Sequence, residues 1–261
     1  MAWLINESPP FVTAAIFAVA MLGAWFLGWK LGPRSEVSNA GESGDKLSDA
    51  VLALLGLLLA FTFSASLSRH EHRREMVVVD SNAIGDFLTC VRLLDPPERT
   101  TLQEILRKYV DTRLALVRTR HSAEEFERHV AELESMHDEL TTSVDAAIHR
   151  STPVTVPLVN TLNELTSSHA SRLSSYRDRL PESIVLTLLI AATVSMGLAG
   201  SRTGTLKKSS VTSMLGFAIL FSLVVGVTLD LNQPQQGSIR VSQEPLERLA
   251  RSLKTPESSP P

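Results

Sequence analysis

Four uncharged apolar runs, two toward each end of the chain, flank a charged stretch, residues 69–182. The runs are Phe11–Trp29, Ala50–Ser68, Ser183–Ser201 and Ser209–Leu229. Each has roughly the 20 residues that an α-helix needs to cross a hydrocarbon layer. Within lipid a backbone polar group must be satisfied inside its own segment, so runs of this kind are helical. The layout predicts an all-α membrane protein, with four transmembrane helices in a 2+2 arrangement around a soluble antiparallel helical bundle. The expected divisions are 1–68 for the first pair of spans, 69–182 for the bundle, 183–230 for the second pair and 231–261 for a C-terminal amphipathic helix and disordered tail.

Acidic and basic residues are nearly balanced and well mixed across residues 69–182. That describes a solvated helical surface and not a phosphate-binding face, so nucleic acid is not an expected partner. Cys90 is the only cysteine, which excludes an intrachain disulfide and a cysteine-based metal site. Its neighbours Leu88, Val91 and Leu93 predict a buried structural thiol. The segment Met1–Pro10 has no Lys or Arg, so the first run reads as a retained span and not as a cleaved signal. Trp3, Trp25 and Trp29 flank that run, where amphipathic rings favour the headgroup level.

A polar loop is expected over Gly32–Ser48. The second span has no breaker at its end and continues into Val77–Leu94. There Val77, Ser81, Ile84, Leu88 and Val91 recur at spacings of four and three, one packed helical face. One long helix is therefore expected, closed by Asp95-Pro96-Pro97. A second helix begins near Pro97, with the line Leu102, Leu106, Tyr109 or Val110, Leu114 and Val117. A third begins at Ser122, which with Glu125 makes a capping-box pattern, and carries Phe126, Val130, Leu133, His137, Leu140, Val144 and Ala147. A fourth begins near Pro157 and carries Leu158, Leu162, Leu165, His169, Leu173, Tyr176 and Leu180 before Pro181. Four amphipathic helices on short connections favour an antiparallel bundle. After a turn at Asn232–Gly237, a short helix over Ser242–Leu253 presents Leu246, Leu249, Ala250 and Leu253 on one face. Thr255–Pro261 reads as a disordered tail.

No nucleophile motif, phosphate loop or dinucleotide fingerprint is present, and Gly197–Gly204 lacks the strand that a glycine-rich nucleotide loop would follow. No enzymatic activity, cofactor or metal is expected. His70 and His72 point to different sides of a helix. His129 fits a solvated face. His137 and His169 lie on the apolar lines of neighbouring helices, either as a hydrogen-bonded core pair or as a pH-responsive contact within the bundle. Span two carries Gly56, Ala60, Thr62, Ser64, Ala65 and Ser66, and span four carries Ser222 and Gly226. These serve close helix packing or, on span two, a narrow constriction gated by dewetting. Asp230 is a carboxylate at the membrane edge.

The text Leu55–Gly85, LGLLLAFTFSASLSRHEHRREMVVVDSNAIG, resembles a bacterial membrane-protein family known as bestrophin-like. Arg179-Leu180-Pro181 and Asp230–Leu246, DLNQPQQGSIRVSQEPL, are similar to further stretches of it. The resemblance implies an oligomeric, multi-pass protein of the bacterial inner membrane. True bestrophins are ring-forming anion channels with both termini inside. By that analogy small anions would pass along an axis lined by span two, with Leu57, Phe61 and Ser64 as the lining. The bundle and both termini would be cytoplasmic, an orientation that basic residues leave open because they nearly tie across the membrane. No acidic calcium clasp follows span four, where Glu244 and Glu247 do not make a dense acidic cluster. The alternative is a non-conducting, membrane-anchored helical scaffold or sensor.

Overall fold

The computed structural model describes residues 10–31, 41–119, 122–150, 152–203, 209–234 and 237–254, which are helical almost throughout with no strand among them. The helices are α1 (Pro10–Leu31), α2 (Gly41–Arg92), α3 (Pro96–Arg118), α4 (Ala123–His149), α5 (Thr155–Arg177), α6 (Glu182–Thr203), α7 (Ser209–Asn232) and α8 (Glu244–Lys254). Four of them, α1, α2, α6 and α7, contain stretches long and apolar enough to cross a membrane.

The continuous helix expected from span two onward is present: α2 runs for 52 residues without a break. It also begins earlier than expected, at Gly41, so the second half of the expected Gly32–Ser48 loop is helix. The apolar stretch that follows supplies a helix to propagate from. Residues 32–40 lie outside the described residues, as does the expected tail 255–261. Local signals set the other boundaries. Asp95 precedes two prolines in the first turn of α3, where a missing N–H costs nothing. The capping box at α4 is complete: Glu125 N–H donates to Ser122 Oγ at 3.2 Å, and Ser122 N–H donates to Glu125 Oε2 at 2.8 Å. Ahead of the last helix, Glu244 N–H lies 3.4 Å from Ser242 Oγ, a long contact.

Within the described residues the chain divides into two compact units, one of residues 1–70 and 179–240, the other of residues 71–178 and 241–261. The first unit holds α1, α6, α7 and the apolar stretch of α2. Its core includes Phe17, Met21, Leu55, Leu188, Met196, Phe221 and Val225. Glycine sets the approach of α1 to α6. A Cβ on Gly28 would overlap the Gly197 carbonyl, and one on Gly200 would overlap the Trp25 carbonyl. Without lipid-water contrast between helices, backbone proximity of this kind is what holds spans together. The sequence suggested small-residue packing on spans two and four. Gly226 does meet Ala14 Cβ at the 3.1 Å an added Cβ would have, but Gly56 faces open space.

The second unit packs the C-terminal part of α2 with α3, α4, α5 and α8. Ile84, Phe87, Leu88 and Val91 of α2 meet Leu102, Leu106 and Tyr109 of α3, Leu133, Leu140 and Val144 of α4, and Leu158 and Leu165 of α5. From α8, Leu246 is fully buried and Ala250 nearly so. Exposed pairs Arg118–Glu247 (3.0 Å) and Lys254–Asp111 (3.1 Å) join α8 to α3. Such pairs are worth only about 0.2–1 kcal/mol, so the buried leucine decides the attachment. Cys90 is half-buried against the same core and not wholly enclosed.

Gly200→Val should lower the thermal midpoint of the detergent-solubilised protein, since overpacking costs about 1–3 kcal/mol and the obstacle here is backbone. Gly23→Val, at a site with no atom within 4 Å, should leave it unchanged.

Candidate functional site

The polar groups of the second unit converge on Asp80, a fully buried residue of α2. Its Oδ1 accepts from Arg113 Nη2 at 2.8 Å and from Ser168 Oγ at 3.2 Å, and its Oδ2 accepts from Arg172 Nη1 at 2.7 Å. Arg172 also donates to Gln243 Oε1 at 2.6 Å, which ties the segment before α8 to the same carboxylate. Both arginines are buried. Burial alone would raise the pKa of Asp80, but the charges of Arg113 and Arg172, with hydrogen bonds from Arg172 and Ser168, hold it below the usual carboxylate value. Burial likewise opposes the charge on Arg172. Asp80 and Tyr176 outweigh it, and the arginine pKa is raised.

Beside the ion cluster, Tyr109 joins two histidines. Its hydroxyl lies 3.0 Å from His169 Nδ1 and 3.1 Å from His137 Nε2, and the Arg113 guanidinium sits 5.1 Å from the centre of its ring. One phenolic proton serves two imidazoles, so Tyr109 donates to one ring and accepts from the other. Burial and then the Arg113 charge push His137 down to about 4 and His169 down to about 3. Burial raises the tyrosine well above its ordinary value. The group is therefore two neutral imidazoles and a neutral phenol against a paired carboxylate.

Asp230, at the end of α7, is a buried fastening and not an open carboxylate. It accepts from Ser238 N–H (2.7 Å), Ser238 Oγ (2.7 Å) and Ile239 N–H (2.9 Å). The turn it closes leaves no room for a Cβ at Gly237, where the Asp230 and Gln233 carbonyls would be 2.6 and 2.7 Å away. Two residues on, Asn232 Oδ1 accepts from Leu180 N–H at 2.8 Å.

The three stretches of distinctive text thus make specific structural contacts. Asp80 comes from the first, Leu180 from the second, and Asp230, Asn232 and Gln243 from the third. The sequence pattern of the bestrophin-like domain matches residues 14–246. The chain belongs to the bestrophin-like family. No curated protein and no solved structure matches it. Family membership and the four apolar helices fit a membrane protein.

Of the residues singled out from sequence, this bestrophin-like chain brings His137 and His169 together, with ring centroids 4.6 Å apart, bridged by Tyr109 and not bonded to each other. Their depressed pKa values place any titration of the pair at acid pH. Leu57, Phe61 and Ser64 lie at spacings of four and three on one exposed stripe of α2, with Leu57 53% and Phe61 66% exposed. Asp80, Tyr109, Arg113, Ser168, Arg172 and Gln243 were not singled out. One signal was available: Val77, Asp80, Ile84, Phe87 and Val91 also keep three- and four-residue spacing, which puts a charge on the buried face.

Asp80→Asn should destabilise the protein by about 3–5 kcal/mol, because it leaves two guanidiniums buried without their anion. Denaturant unfolding measures the loss. The histidines predict a pH dependence of known sign. An unfolded chain protonates imidazole near 6.5, whereas these rings resist protonation to about 4 and about 3. Between those values the unfolded state binds more protons, so stability present at neutral pH should fall as pH drops below about 6.5. Asp80, whose folded pKa is depressed, loses its contribution only at lower pH still. Unfolding followed across pH should show the slope, and His137→Gln with His169→Gln should flatten it.

Proposed function

We propose that this protein is an oligomeric channel for small anions in the bacterial inner membrane, with the apolar stretch of α2 from each protomer around a central path. The observation that carries the reading is the unpartnered stripe on α2. Within Ala50–Ser68 only Leu55, Thr62 and Ser66 are buried, while Leu54, Leu57, Phe61, Ser64 and Ser68 form one exposed line. That line mixes apolar bulk with hydroxyls, unlike the exposed residues Val12, Ile16 and Val19 of α1 or Leu215, Ile219 and Leu223 of α7, which suit lipid tails. Ring symmetry would turn one such helix per subunit into a closed wall, with Phe61 as an apolar constriction and Ser64 as a hydrogen-bond donor to a passing anion. The four membrane spans take a 2+2 arrangement. The second unit is the soluble antiparallel bundle, cytoplasmic together with both termini, and the protein is not an enzyme. Support for these points comes from the family resemblance and from the charged surface of α3, α4, α5 and α8.

The second reading is a membrane-anchored scaffold or sensor whose working part is the bundle. The elaborate charge pairing around Asp80 favours it, because that investment lies wholly in the second unit. Liposome flux separates the two. Purified oligomer should release trapped chloride, and Phe61→Ala should alter the conductance without changing the oligomer. An intact oligomer that passes no anion at any pH or voltage would discard the channel in favour of the scaffold.

A further inference from the structure

We propose that the second unit holds an acid-operated latch: protonation of the His137–His169 pair releases α4 while α2, α3, α5 and α8 stay assembled around Asp80. The latch lies wholly within the second unit, so nothing in it depends on whether α2 lines a conducting path.

Tyr109 has one proton and lies between two ring nitrogens, His169 Nδ1 at 3.0 Å and His137 Nε2 at 3.1 Å, with all three side chains buried. That arrangement is satisfied only when both imidazoles are neutral, one donating to the phenol oxygen and the other accepting its proton. The remaining nitrogens, His137 Nδ1 and His169 Nε2, have no hydrogen-bond partner. A proton added to the accepting ring displaces the phenolic proton, and one added to the donating ring leaves a charged N–H against nothing. Either outcome buries an unpaired charge. The surrounding groups do not relieve it. Arg113 of α3 and Arg172 of α5 are cations, and both already engage the Asp80 carboxylate of α2. Asp138 of α4 acts on His137 from an exposed position. The ring centroids are 4.6 Å apart, so two charged imidazoles would also repel each other.

The polar fastenings of α4 differ from those of its neighbours. Asp80 is bonded by Arg113 from α3 and by Ser168 and Arg172 from α5, and Arg172 reaches Gln243 ahead of α8. α4 supplies no partner to that carboxylate and reaches the polar core through His137. Its surface ion pairs to α5 and α3, Glu127–Arg177 and Arg150–Glu98, are of a kind that contributes little. His169 borders a cavity of about 20 Å3 together with Phe126, Val130 and Leu133 of α4. Lifting α4 thus hydrates both imidazoles and leaves the Asp80 cluster whole.

Proton linkage gives the direction. Exposed imidazole titrates near 6.5, and in the closed unit burial and then Arg113 hold these rings down to about 4 and about 3. The open form binds more protons across that interval. Opening therefore grows as pH falls below about 6.5, by up to about a hundredfold per pH unit for two rings. Asp80 is held below the usual carboxylate value, so its cluster outlasts the latch.

The test is hydrogen–deuterium exchange of the full-length protein in detergent at about pH 7 and about pH 4.5, with rates corrected for the intrinsic pH dependence of amide exchange. Amides of α4 should lose protection by more than about a hundredfold at the lower pH, while those of α2 around Asp80 and of α5 around Arg172 keep theirs. His137→Gln with His169→Gln removes both titrating rings and should keep α4 protected. Nitroxides placed by Ser135→Cys on α4 and Ser167→Cys on α5, in a Cys90→Ser background, should move apart over the same interval, a readout independent of how the histidine variant folds. Protection of α4 that is unchanged by acid, that falls equally in the histidine variant, or that is lost together with that of α2 and α5 would overturn the proposal.

Discussion

A carboxylate shut off from water fixes the order of the second unit. Asp80 can stay ionised in that core only while Arg113, Arg172 and Ser168 surround it. Those partners come from α3 and α5, and Arg172 passes the constraint to Gln243 ahead of α8. Replacing such a cluster with hydrocarbon is often neutral or stabilising, so net stability does not explain its presence. What it specifies is register. A slip of one residue in α3 or α5 would bury a guanidinium without its anion, and few alternative packings of five amphipathic helices escape that penalty.

The helices were legible in the sequence wherever the signal was local. Uncharged runs of membrane length marked α1, α6, α7 and the first part of α2, prolines marked the ends around Asp95 and Pro181, and Ser122 with Glu125 marked the start of α4. His137 and His169 were also readable as neighbours, since each interrupts an apolar line. The charge cluster was not readable. Asp80 lies 33 residues from Arg113 and 92 from Arg172, and a charged residue on a helix reads by default as solvated. Tyr109 shared its place on the α3 line with Val110, and nothing local says which of the two carries a polar contact. Gly197 and Gly200 suggested a loop motif to be dismissed, whereas Gly200, with Gly28 of α1, lets the two helix backbones approach. Close approach is a property of two helices, and one sequence segment shows only half of it.

The apolar helices are unequal in what they leave exposed. α1 and α6 meet backbone to backbone at Gly28, Gly197 and Gly200, and α7 joins them through Gly226 and Ala14. The apolar stretch of α2 contributes little to that core beyond Leu55. Its exposed stripe is therefore free within a protomer, and it sits on the same unbroken helix as Asp80. A single helix thus carries the exposed stripe and a carboxylate held by two arginines and a serine.

The second unit is assembled from two separated pieces of chain, and the later piece holds its closing parts. Leu246 and Ala250 fill the core, and Gln243 completes the coordination of Arg172. During synthesis α2 to α5 emerge first, then both α6 and α7, and only afterwards the residues from Val241 onward. The earlier helices must wait with an open hydrophobic seam and an unfinished charge cluster until the last membrane-length helix has left the ribosome. Chains truncated before Val241 lack Leu246, Ala250 and Gln243, so this core can close only after residues that follow the last membrane-length helix have been made.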